Sequence, residues 1–249
     1  VKTASNDIQD FWNNLERKPG KSYLHVLAMT AIGWYTCNNN GDAFYEEDLI
    51  KYHPTFVSDG NLFTLHRNKD PKKSNGNPVY SFYNKNMHRV ELVIEVDRAN
   101  SPDIVRSIEN DEDIAVSMGA RVKNDVCSIC GNVAKTRKEY CDCLRHNMKK
   151  ILKDGRQVYA INPGPLTFFD ISVVRKPADR TAWALQKAAS DRGEDWMEDG
   201  LTSAERGERV MDYREKIAAI SKLGDMVKEI DGKTLKTKSG EANLDFPQL

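Results

Sequence analysis

At 249 residues, with 37 basic and 37 acidic side chains and 39% hydrophobic content, the chain can hold one good-sized domain with an extension, or two small ones. Its zero formal net charge gives no global electrostatic bias toward nucleic acid or a membrane surface. No apolar run approaches the roughly 18–20 residues that cross a bilayer, and no export signal is visible, so the expectation is a cytosolic chain with reduced thiols.

In chain order, residues 1–22 read as a polar, weakly packed arm containing Phe11 and Trp12 and broken at Pro19-Gly20. The main domain follows over 23–190. A buried strand is predicted over 23–35, then the turn Asn38-Asn39-Asn40-Gly41-Asp42. A short helix over 43–52 follows, with Glu46, Glu47 and Asp48 near its start, where the helix dipole favours negative charge. A short strand over 62–65 ends on His66. Two strands, over 79–83 and 90–97, form a hairpin. In the second, Val90, Leu92, Ile94 and Val96 alternate with Glu91, Val93, Glu95 and Asp97, the pattern of a half-buried antiparallel strand.

Ser101-Pro102-Asp103 reads as a helix start, with a capping serine, a first-turn proline and an acid. A strand over 114–122 carries Ser117. A second helix is predicted over 139–153 with Gly155 as its stop, then strands over 157–161 and 168–174 and an Ala-rich helix within 177–189. The stretch 191–249 reads as an acidic linker, a long charged helix opening at Thr202 with an apolar stripe from Val210 to Ile230, and an extended tail. Such an extension suits contact with a partner.

Two features carry chemistry. Cys127-x-x-Cys130 and Cys141-x-Cys143 supply four thiolates, the ligand set of a closed structural zinc site, and Gly131 suits the tight turn of a zinc knuckle. His146 could replace Cys143 as the fourth ligand, and free surface thiols are the plainer alternative. Cys37 stands apart as a core residue. The other feature is Asp170, an acid flanked by Phe168, Phe169 and Ile171. Such an acid needs a partner, whether a backbone amide, Arg175, or a histidine that it orients. Ser117 and His66 would complete a nucleophile and general base, since serine attacks amides only when a base takes its proton.

Several segments, in order, resemble the tailed-phage prohead (head maturation) proteases. They are Thr55-Phe56 leading to His66, Asn68-Lys69-Asp70-Pro71 with Gly76, the hairpin ending Ile94-Glu95-Val96-Asp97, and Ile108-Glu109-Asn110 leading to Val116-Ser117-Met118-Gly119. Phe169-Asp170-Ile171-Ser172-Val173-Val174 with Pro177-Ala178-Asp179 closes the series. The resemblance covers roughly residues 23–189. It implies an α+β fold like that of herpesvirus assembly proteases, a mostly antiparallel β-barrel flanked by helices. To that the chain would add a zinc-knuckle insertion over 124–150 and a C-terminal helical extension.

It also implies a serine endopeptidase, with Ser117 as nucleophile, His66 as base and Asp170 in the third position, that cuts phage scaffold and capsid precursors. Arg121 has two readings, an oxyanion contact through water and the plainer surface or structural role, and backbone amides such as that of Gly119 are the other oxyanion donors. The implied location is the host cytoplasm, inside the immature head; a homo-oligomer stays open. The rival expectation is a non-enzymatic virion structural protein retaining the fold. A zinc-dependent nucleic-acid binder is weaker: the basic strips at 135–138 and 145–150 lack interleaved aromatics.

Overall fold

The computed structural model describes residues 5–32, 37–189, 234–237 and 240–243. The chain divides into two units, Val1–Asp191 and Arg192–Leu249. The first is α+β. Helix α1 (Ser5–Asn13) leads to β1 (Lys21–Thr30), the short β2 (Asp42–Ala43), α2 (Glu46–Tyr52), α3 (Thr55–Ser58) and β3 (Asn61–Thr64). The hairpin β4 (Gly76–Asn84) and β5 (Arg89–Asp97), helix α4 (Pro102–Glu109) and β6 (Ala115–Arg121) follow. A lobe made of β7 (Asp125–Cys127), β8 (Val133–Ala134) and α5 (Asp142–Asn147) precedes β9 (Ala160–Ile161), β10 (Thr167–Val174) and β11 (Ala184–Ala189). No helix among the described residues is long and apolar enough to cross a membrane.

Seven strands form one sheet in the order β11-β1-β5-β4-β3-β10-β6. Every neighbouring pair is antiparallel except β3 and β10, which run parallel with Thr64 opposite Val173. Both of these strands start beside α3, where the Phe168 N–H donates to Thr55 Oγ1 at 2.9 Å, so they leave in the same direction. The two end strands approach each other: Ala115 bridges Trp183, and the Ala184 N–H donates to Ile114 O at 2.8 Å. The architecture is therefore α+β as expected, with a curled half-barrel sheet that is antiparallel at every pairing but one. Its interior is filled by apolar side chains including Leu24, Leu62, Leu92, Ile94, Val116 and Ile171, with Phe56 and Phe168 stacked at 4.4 Å between ring centroids.

Strand β5 is buried on both faces, not on one. The arm explains this: α1 is a packed helix whose Ile8 and Trp12 cover Tyr23, Val93 and Ala188 on the outer side of the sheet. Glu91 lies beneath this cover. It accepts from Arg89 Nε at 2.6 Å and Asn84 Nδ2 at 3.0 Å, and lies 2.8 Å from His25 Nε2. Burial alone would raise its carboxyl, but these partners outweigh burial and bring it down to about 2. A depressed carboxyl stabilises the fold above its ordinary value and loses that contribution as pH falls toward the depressed one. Glu91→Gln should therefore cost about 2–3 kcal/mol at pH 7, a deficit that shrinks in acid. Urea titrations at both pH values measure it.

Several local expectations give way to tertiary contacts. The Ala-rich stretch predicted as a helix is the edge strand β11, because it completes the β1 ladder with Tyr23 opposite Ala188. The helix predicted over 139–153 is only α5, preceded by a 3-10 turn at Arg137–Glu139. Met148 leaves helical geometry and Lys149 turns left-handed at φ 69°. The chain then doubles back, with Lys149 N–H donating to Val158 O and Leu152 N–H to Arg156 O. Gly155, at φ 82°, makes that reversal instead of ending a helix.

Ser101 does not cap α4. Its hydroxyl donates to Asn75 O and accepts from Asn75 Nδ2, tying the helix to the loop before β4. The first strand ends at Thr30, short of the predicted 35. In the second unit, β12 (Thr234–Thr237) pairs antiparallel with β13 (Gly240–Asn243), where an extended tail was expected. The helix read from Thr202 through Ile230 lies outside the described residues.

Candidate active site and cysteine cluster

The ladder between β10 and β6 sets Ser172 opposite Ser117 and Asp170 opposite Gly119. Alternation along each strand then puts all four on one face. Gly119 sits tight against the acid: a Cβ there would lie 3.1 Å from Asp170 Cβ and 3.2 Å from Oδ2, so the carboxylate would have to give by a few tenths of an ångström. The carboxylate occupies the room that the glycine leaves.

His66 reaches this face from the end of β3. Leu65 and His66 are both left-handed, at φ 52° and 55°, a conformation that costs a non-glycine residue roughly 1–2 kcal/mol. The double turn swings the imidazole back over β10, where Nδ1–H donates to Asp170 Oδ2 at 2.7 Å. Asp170 is 0% exposed and both its oxygens are satisfied. Oδ2 also accepts from Asn68 Nδ2 at 2.6 Å, and Oδ1 accepts from Ser172 Oγ at 2.6 Å. Ser172 Oγ in turn accepts the His66 backbone N–H at 3.2 Å, so one hydroxyl fixes acid and histidine together. The acid's partners are thus side chains on β10 and the β3 exit, not Arg175.

With Nδ1 engaged, Nε2 is the ring nitrogen left to accept a proton. Ser117, 6% exposed, and His66, whose side chain is 42% exposed, line one cavity of about 520 Å³ with Leu65, Asn39, Asn40 and Ala178. Ser117 also borders a smaller hollow of about 140 Å³. No hydrogen bond joins Ser117 to His66; in substrate-free sites such bonds are commonly long and tighten on binding. Arg121 stacks over the Phe169 ring at 4.5 Å and does not line the large cavity, which matches the structural reading of this residue. Cys37 is buried, as expected of a core residue, and burial pushes its thiol up.

The bond to Asp170 raises the His66 pKa above its ordinary value, burial opposes the rise, and the Asp170 charge adds to it. A base must be neutral, so a reaction that used His66 as its base should speed up as pH rises through an inflection above 6.5. The sign for stability is opposite: the favourable imidazolium–Asp170 interaction is fully present below 6.5 and is lost as pH climbs through the raised value. Asp170→Asn should move the rate inflection down and lower the rate roughly a hundredfold or more. A pH–rate profile of the two proteins checks both effects.

The cysteines come from two local structures. Strand β7 ends on Cys127, and the turn to Cys130 is closed by Gly131 N–H donating to Cys127 O and Cys127 N–H donating to Asn132 O. Gly131, at φ 72°, is needed for conformation alone, since nothing lies within 4 Å of its missing Cβ. Cys141 stands just before α5, without a side-chain capping bond, and Cys143 lies in the first turn of that helix. The four sulfurs lie within 4.8 Å of one another and none is in a disulfide.

A tetrahedral ion with metal–sulfur bonds of about 2.3 Å needs sulfurs about 3.8 Å apart, so a donor set gathered within 4.8 Å is compatible with such an ion. The Ile129 N–H points at Cys127 Sγ from 3.4 Å and the Asn132 amide lowers the Cys130 thiol pKa, whereas burial pushes the Cys127 and Cys143 thiols up. His146, 66% exposed at its side chain and 3.9 Å from Asp142, is outside the cluster. Beneath it lies a small separate core of Cys127, Ala134, Tyr140, Leu144, Val158 and Ala160.

Comparison with known proteins finds no matching family, curated protein or solved structure. Sequence reasoning gave no role to Asn68 or Ser172. The i, i+2 spacing of Asp170 and Ser172 on a strand, which puts both on one face, was the available signal for the hydroxyl.

Proposed function

We propose that the chain is a serine endopeptidase of the prohead maturation type. The observation that carries this reading is the His66–Asp170 bond, which leaves Nε2 as the free ring nitrogen in a cavity shared with Ser117. In this reading Ser117 Oγ gives its proton to His66 Nε2 and bonds to the substrate carbonyl carbon. Asp170 holds the imidazolium that forms, and His66 then delivers the proton to the leaving amine. Water, deprotonated by the same nitrogen, releases the acyl group and restores Ser117. Asn68 and Ser172 keep the Asp170 carboxylate aimed at His66.

The phage assignment, with scaffold and capsid precursors as substrates inside the immature head, is supported by the ordered segments that resemble that family. The fold proposed with it, of the herpesvirus assembly protease kind, is supported by the curl of the mixed sheet. Zn²⁺ is the proposed occupant of the four thiolates of Cys127, Cys130, Cys141 and Cys143, in a structural role, because four protein ligands leave no open position for chemistry. Co-expression with a phage scaffold protein tests the function: new scaffold termini should appear with the wild-type chain and be absent with His66→Ala. An intact scaffold in both cases would favour the rival, a virion structural protein on the same fold.

A further inference from the structure

The loop over 38–42 forms one wall of the Ser117–His66 cavity through Asn39 and Asn40. It is gripped from two sides. On the cavity rim, Asn39 N–H donates to Ala178 O at 2.8 Å and Asn39 Nδ2 to Pro177 O at 3.1 Å. On the other side is the cysteine lobe. Lys149 Nζ donates to Asn39 O at 2.8 Å, and the backbone of Gly41 lies so close to Met148 that a Cβ would meet its Sδ at 2.5 Å. The loop continues into β2, which pairs with β9, and β9 pairs with the strand that ends on Cys127. Met148 also packs on the small core that contains Cys127, Cys141 and Cys143.

We propose that the cysteine lobe positions the substrate-binding wall: Lys149 and Met148 hold the 38–42 loop so that the side-chain carboxamide of exposed Asn40, whose backbone N–H is held by Asn38 Oδ1, meets the backbone of an extended peptide. The metal cluster then governs how polypeptide is bound, while the chemistry at Ser117 and His66 is left to the sheet. Lys149 and Met148 are positioning residues; Asn40 is a binding residue, bordering both the large cavity and the smaller hollow. This rests on the peptidase reading above, but the coupling of lobe to loop does not.

Two readouts separate the cases. Hydrogen exchange over 38–42, compared between zinc-loaded and chelated protein and between wild type and Lys149→Met with zinc retained, reads the coupling without any activity. Both perturbations should lose protection in that loop. In peptide cleavage, Lys149→Met should raise KM roughly threefold to tenfold with kcat within about twofold, and Lys149→Arg should restore it. Unchanged exchange over 38–42 in zinc-loaded Lys149→Met would overturn the proposal, as would a fall in kcat at constant KM. Should the wild type cleave no peptide while exchange behaves as expected, the peptidase reading fails and the lobe–loop coupling stands.

Discussion

Ser117→Ala should lower peptide cleavage by about a thousandfold or more while leaving the fold intact. The loss follows from the covalent step, since without Oγ no acyl group can form and only a far weaker attack by water remains. The fold survives because the ladder position opposite Ser172 is held by backbone bonds, and the hydroxyl makes no hydrogen bond among the described residues. A stability change within roughly 0.5–1 kcal/mol is expected. Steady-state rates, read beside thermal melts of the same preparations, separate lost chemistry from lost structure. His66→Ala should match the rate loss, as the two residues act as one unit.

Removing metal should have the largest effect on structure. The lobe's own core is six residues, too few to hold four thiolates and the 3-10 turn in place without a further link. Binding free energy at such sites is largely folding free energy, on the order of 10 kcal/mol. Chelation or Cys127→Ser should therefore release the lobe over 124–160 first, with the seven-stranded sheet unfolding later. Elemental analysis should give about one zinc per chain, and the four thiols should react with thiol reagents only after chelation. Metal-free protein with an ordered lobe and unreactive thiols would count against a structural zinc.

How much was legible depends on whether the determinant was local. The hairpin of β4 and β5 was visible because alternation over Val90, Leu92, Ile94 and Val96 is written in consecutive residues. The cysteine pairs were visible because ligand spacing is local as well. Asp170 stood out as an acid in an apolar strand, and the structure supplies its partners. What was not legible was decided elsewhere in the chain. The burial of Glu91 and Val93 depends on α1 folding over the sheet, and strand formation by Ala184–Ala189 depends on the free edge of β1. The left-handed pair Leu65 and His66 has no glycine to announce it, yet it brings the imidazole to the acid. The parallel pairing of β3 and β10 joins segments more than a hundred residues apart, beyond the reach of any sequence period.

The most direct measurement of the central claim is covalent labelling of the purified chain by a serine-reactive fluorophosphonate at pH 8, with the modified residue located by peptide mass spectrometry. The reagent reports only a serine whose proton is taken by a neighbouring base. The account predicts stoichiometric modification at Ser117, slowed strongly in His66→Ala and Asp170→Asn and following the same pH inflection as cleavage. No labelling of Ser117 in the folded, metal-loaded protein, or labelling that is indifferent to His66, would contradict it.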